Sequence, residues 1–68
     1  MFALLDVVRL KKADSDTGAT PGNTGTIVDV LADGVYTVEF FDEDHDTIME
    51  SLDKYYREDE LMLVAQGG

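Results

Sequence analysis

Residues 24–41 read TGTIVDVLADGVYTVEFF, and the reading of this stretch decides the fold. Two runs rich in Val, Ile, Thr and aromatic residues flank Ala32, Asp33 and Gly34, a composition that marks strand, turn, strand. Gly34 has no Cβ and can take the positive φ that a tight hairpin turn needs. Side chains alternate between the two faces of a strand, so the hairpin can be phased. Thr26, Val28 and Val30 fall on one face of the first run, and Tyr36, Val38 and Phe40 on one face of the second. These six are expected to face the core. Asp29, Thr37 and Glu39 then point to solvent, with Val35 and Phe41 on the outer face.

Upstream, LLDVVRL at residues 4–10 predicts a first strand with Leu4, Val8 and Leu10 on one face and Asp6 as the exception among them. KKADSDTGATPGN at residues 11–23 holds two of the six glycines, the only proline and several turn formers, so it reads as one long exposed loop. Downstream of the acidic stretch EFFDEDHDTIME, residues 39–50, TIMESL at 47–52 predicts a fourth strand with Ile48 and Leu52 inward. In KYYREDELMLV the polar residues 57–60 are too few for a stable α-helix and suit one 3-10 turn, after which a last strand carries Leu61 and Val64. Five short strands with a helical turn before the last describe an all-β small barrel, and closing the sheet removes edges that an open meander would expose. The domain is expected to span residues 1–65, with 66–68 as a flexible tail.

A chain of 68 residues is near the lower size at which one hydrophobic core holds a fold unaided. It has no cysteine, which excludes disulfides and thiolate zinc sites. Stability must come from packing, a carboxylate-bound ion or association, including homo-oligomerisation. The opening MFALLDVVRLKK lacks a basic leader, is interrupted by Asp6 and is far shorter than the roughly 20 residues that span a bilayer. No signal peptide, membrane segment or cofactor is expected, and a cytoplasmic location fits. Fifteen acids against five bases leave a formal charge of −10. Nucleic acid is bound by clustered cations, and only Arg9, Lys11, Lys12, Lys54 and Arg57 are on offer. A basic surface on another protein is the better complement.

Asp42, Asp44 and Asp46 have the spacing that opens a D-x-D-x-D calcium loop, but Thr47 stands where that loop needs glycine and Asp53 where it needs a bidentate glutamate. A solvated hairpin tip is the expected role, with a weak cation site as the alternative. His45 alone supplies too few ligands for zinc. Ser15 or Ser51 with His45 makes no nucleophile–base pair that an elbow or oxyanion motif supports, so no enzyme is expected. Tyr55 and Tyr56, just before the 3-10 turn, could with Asp14 and Asp16 cradle a proline-rich or basic peptide, the rings packing and the acids pairing. The plainer expectation has one tyrosine on the core and the other at the barrel end. Phe41, with Val35 and Met49, could form an outer apolar patch rimmed by Glu39, Glu43 and Glu50.

The order of elements resembles the SH3-like barrel, with residues 11–23 in the place of its long first loop and 57–60 in that of its 3-10 turn. More narrowly, LDVVRL (5–10), PGNTGTIVDV (21–30), VYTVEFFD (35–42) and DEL (59–61) resemble the short bacterial proteins of the domain-of-unknown-function family numbered 4926. Where that family has Gly-Asp before its Gly-Thr-Val-Val stretch and a glycine after Glu-Phe, this chain has Gly22-Asn23 and an Asp44-His45-Asp46 turn. The resemblance implies a small accessory or antitoxin-type partner encoded beside a larger protein, with no established enzymatic activity. GNTGTIVDV also resembles the glycine-plus-apolar phrase of KOW-type barrels, which bind RNA or protein; Gly22 and Gly25 are expected simply to turn the chain out of the loop. The expected function is a non-catalytic, acidic protein-interaction module for a more basic protein. The alternatives are an accessory domain stabilising a larger enzyme, a KOW-like nucleic-acid-binding barrel and a weak calcium-binding protein.

Overall fold

A computed structural model describes residues 1–67. Five strands follow in order: β1 (Val7–Leu10), β2 (Thr24–Ala32), β3 (Val35–Phe40), β4 (Tyr56–Arg57) and β5 (Leu61–Ala65). Two 3-10 turns, η1 (Met49–Asp53) and η2 (Glu58–Glu60), lie before and after β4. All pairings are antiparallel, and the strand order is β4-β3-β2-β1-β5. With its long loop after β1 and a 3-10 turn leading into β5, this is the SH3-like arrangement that the order of elements implies.

The central hairpin forms where the sequence places it. Ala32 pairs with Val35, Gly34 takes φ of 74°, and Tyr36, Val38 and Phe40 are fully buried. Up to residue 28 the phase of β2 is the reverse of the expected one. Gly25 and Ile27 are buried, whereas Val28 and Val30 are 39% and 44% exposed. Residues directly opposite in an antiparallel pair share a face, and Gly25 faces Phe40 while Ile27 faces Val38. Between Ile27 and Asp29 the register shifts, so that Val28 is the extra residue of a bulge. Past the bulge Val30 stands opposite Tyr36, but β1 pairs with β2 only along its first three residues and leaves the distal half uncovered.

Leu4 is also not inward. Residues 3–6 form a turn in which Leu5 has φ of 72° and the Asp6 N–H donates to the Ala3 carbonyl. Leu4 and Leu5 are exposed, and Asp6 takes the buried position. Its carboxylate accepts the Ala3 N–H at 2.8 Å and the Gly67 N–H at 2.9 Å, bonds that hold its pKa below the usual aspartate value. Gly67, within the expected flexible tail 66–68, thus carries one tether to the residue before β1, and Gly68 lies outside the described residues.

Residues 47–52 form no strand. Phe41 and Thr47 make a single bridge, and the chain then coils into η1. Ser51 explains the change, since its N–H and hydroxyl both donate to the Ile48 carbonyl while its Oγ accepts the Phe40 N–H at 3.1 Å. A short polar side chain that bonds nearby backbone competes with a ladder. Ile48 still packs on the core as expected and Leu52 is half-buried. The fourth strand is instead the two-residue β4. The final 3-10 turn and Leu61 appear as predicted, but Val64 is exposed.

The core is small and aromatic. The Phe40 and Tyr56 rings meet edge-on at 5.2 Å, and Phe2 tilts over Tyr36 at 5.6 Å. Phe2 closes that end further by donating its N–H to the Tyr36 hydroxyl, which in turn donates to Glu58 at 2.8 Å. Gly25 permits the packing rather than a turn: a Cβ there would come within 2.7 Å of both Phe40 and Val38.

Candidate functional site

The loop over residues 11–23 is held by Asp14. Its backbone N–H donates to the Ala19 carbonyl and its carbonyl accepts the Gly18 N–H, closing a turn in which Gly18 has φ of 81° and Ala19 is buried in the core. The carboxylate accepts the Asp16 N–H and the Thr17 hydroxyl from the same turn. From the far end of the chain it accepts the Lys54 ammonium and the Tyr56 hydroxyl, both at 2.9 Å on Oδ2. The Lys54 nitrogen also lies 5.0 Å above the Tyr56 ring and 3.4 Å from Asp16.

Burial pushes the Asp14 carboxyl upward, but the bonds from Lys54, Tyr56, Asp16 and Thr17 outweigh it and bring its pKa down to about 2. Burial, reinforced by the neighbouring carboxylate, pushes the Tyr56 phenol up to about 12. The bond to Asp14 holds the Lys54 ammonium above its ordinary value.

The tyrosine pair therefore divides. Tyr56 is fully buried and serves the core and Asp14, whereas Tyr55 is 69% exposed. Asp14 is committed internally, and Asp16 stays at the surface. A peptide groove built from all four does not assemble, because two of them face inward. Lys54 is what the sequence reading missed; a lone lysine among acids carries no pattern that distinguishes a buried pair from a surface one.

The acidic stretch makes a tip beyond β3. Asp42 Oδ1 accepts the Asp44 and Asp46 N–H groups, and His45 takes φ of 65° in the turn. Ligand oxygens of Asp42, Asp44 and Asp46 lie within 4.8 Å of one another, all exposed. The turn is explained by its own backbone bonds. Ser51 is fully buried with its hydroxyl committed, and Ser15 and His45 lie in exposed loop positions. Phe41 and Val35 are half-buried rather than open, and Met49 is exposed on η1. The larger exposed apolar surface lies on distal β2, which β1 leaves uncovered, and on β5.

Charge is distributed unevenly. No Lys or Arg occurs between Lys12 and Lys54, a span that carries eleven acids. Among the described residues, none of the carboxylates of Glu39, Asp42, Glu43, Asp44, Asp46 and Glu50 has a cation within 4.0 Å. Four of the five bases, Lys11, Lys12, Lys54 and Arg57, instead line one cleft of about 500 Å³ between the long loop and η2. Among the described residues no helix is long and apolar enough to cross a membrane.

The sequence model of a family described as Domain of unknown function (DUF4926) matches residues 4–54, about three quarters of the chain and every element from β1 through η1. No curated protein and no solved structure matches it. The chain belongs to the DUF4926 family.

Proposed function

We propose that this member of the family is a non-catalytic protein-interaction module whose anionic tip engages a more basic protein. One observation carries the reading: the carboxylates of the tip and of η1 are exposed and have no internal counter-charge, while the cations are gathered elsewhere. Uncompensated like charges raise the energy of the free molecule, and a cationic partner relieves that repulsion and is drawn in by the same field. Glu43, Asp44, Asp46 and Glu50 form the contact, with Met49 as an exposed apolar group among them. Tyr55 adds an exposed ring beyond η1. An antitoxin-type or accessory role beside a larger protein, which the family resemblance implies, fits the same chemistry, since masking a basic surface both neutralises and stabilises it. Affinity capture from native extract tests the proposal: a basic protein should be recovered, and nucleic acid recovered with no protein would overturn it.

A further inference from the structure

We infer that the cleft between the 11–16 loop and η2 binds a small polyanion through carboxylate or phosphate groups, independently of the partner assigned to the acidic tip. The cleft concentrates cations in a chain that has few. Lys11, Lys12, Lys54 and Arg57 line its volume of about 500 Å³, within the range of small-molecule sites.

Four acids line it as well, and their pairings decide what remains available. Asp14 and Asp16 are engaged by Lys54, the first at 2.9 Å and nearly buried. Asp59 and Glu60 reach only the Arg57 Nε, at 3.9 and 3.8 Å, beyond hydrogen-bond length, and Glu60 also accepts the Arg57 backbone N–H. Lys11 and Lys12 have no carboxylate within 4.0 Å among the described residues, although both are exposed in a strongly acidic protein.

Lys11 and Lys12 thus keep ammonium groups free of any ion pair on a cleft that the loosely engaged Arg57 guanidinium also lines. An oxyanion there gains the charge-assisted bonds that these lysines lack, and the guanidinium fork suits a carboxylate or phosphate in two-point contact. The floor is firm, because Leu10 is buried at the end of β1 and the Lys11 N–H donates to the Glu60 carbonyl, joining the two walls. The overall charge of −10 opposes entry of an anion. At physiological ionic strength, however, charges beyond about 8 Å are screened while the lysines act at contact.

The test is an amide chemical-shift titration of the whole chain with citrate and with pyrophosphate, against chloride at equal ionic strength. Saturable shifts confined to residues 10–16 and 54–60 are expected. Lys11→Ala combined with Lys12→Ala should weaken them at least about tenfold, and Arg9→Ala, outside the cleft, should leave them unchanged. Citrate alone would assign carboxylate recognition and pyrophosphate alone phosphate recognition. No saturable shift with either anion, shifts that chloride reproduces, or binding that survives the double substitution would overturn the inference, as would binding of an acidic polypeptide without either small anion.

Discussion

The Tyr56 hydroxyl and Asp14 Oδ2 lie 2.9 Å apart across 42 residues of chain, and this bond joins the long loop to the far side of the barrel. Removing the hydroxyl leaves a mostly buried carboxylate one donor short without changing the shape of the core. Tyr56→Phe is expected to cost about 1–3 kcal/mol in denaturant unfolding, with an unchanged denaturant slope.

Acidification gives an independent reading of the same node. Asp14 has a folded pKa of about 2, below its ordinary 3.8, so its stabilising contribution is complete above the ordinary value and is lost as pH falls through about 2. The difference between wild type and Asp14→Asn isolates the node: wild type should hold an advantage near neutrality that shrinks steadily in acid. A difference independent of pH would contradict it.

The phase of the hairpin predicts which neighbours tolerate change. Val38→Asp should unfold the domain, because it places a charge in a fully buried position, whereas Glu39→Lys should leave it folded. On β2, Ile27→Ala should cost about 2–4 kcal/mol by leaving a cavity, and Val28→Ala less than about 1 kcal/mol. Thermal melts of the four variants check this, and similar losses at Ile27 and Val28 would restore the phase that simple alternation predicts.

The contrast between those strands shows what was legible in the sequence. On β3, strict alternation runs unbroken from Val35 to Phe40, and the buried face could be read directly. On β2 the same rule failed because a bulge at Val28 is a matter of register between two strands, and period-two counting along one strand does not contain it. Residues 47–52 misled for a related reason: β-branched and apolar residues there look like a strand, but a single hydroxyl, Ser51, bonds backward and sideways and closes a 3-10 turn. Of the candidate site, the acidic tip was visible because its chemistry is contiguous. Of the Asp14, Lys54 and Tyr56 node, the SH3-like order of elements brought Asp14 and Tyr56 together, but as an open peptide face rather than an internal bond. Lys54 was not legible, because a lone lysine carries no periodic signal.

Gly25 offers a test of close packing. Alanine there would put a methyl within 2.7 Å of the Phe40 ring and of Val38. Gly25→Ala is therefore expected to destabilise by about 1–3 kcal/mol through overpacking, and Gly34→Ala by about 1 kcal/mol through its positive φ. A neutral melting temperature for Gly25→Ala would mean that the β2–β3 layer is looser than described.

The central claim, that the anionic tip is the partner-binding surface, is tested most directly by comparing capture from native extract with wild type and with a Glu43→Lys, Asp44→Lys, Glu50→Lys variant. These side chains make no hydrogen bond or ion pair among the described residues, and Asp42, which closes the turn, is left intact. The fold should therefore survive, as a matching melt would show. The account predicts a basic protein that wild type retains at low salt, releases as salt rises, and that the variant fails to hold. Equal recovery by both forms would contradict it.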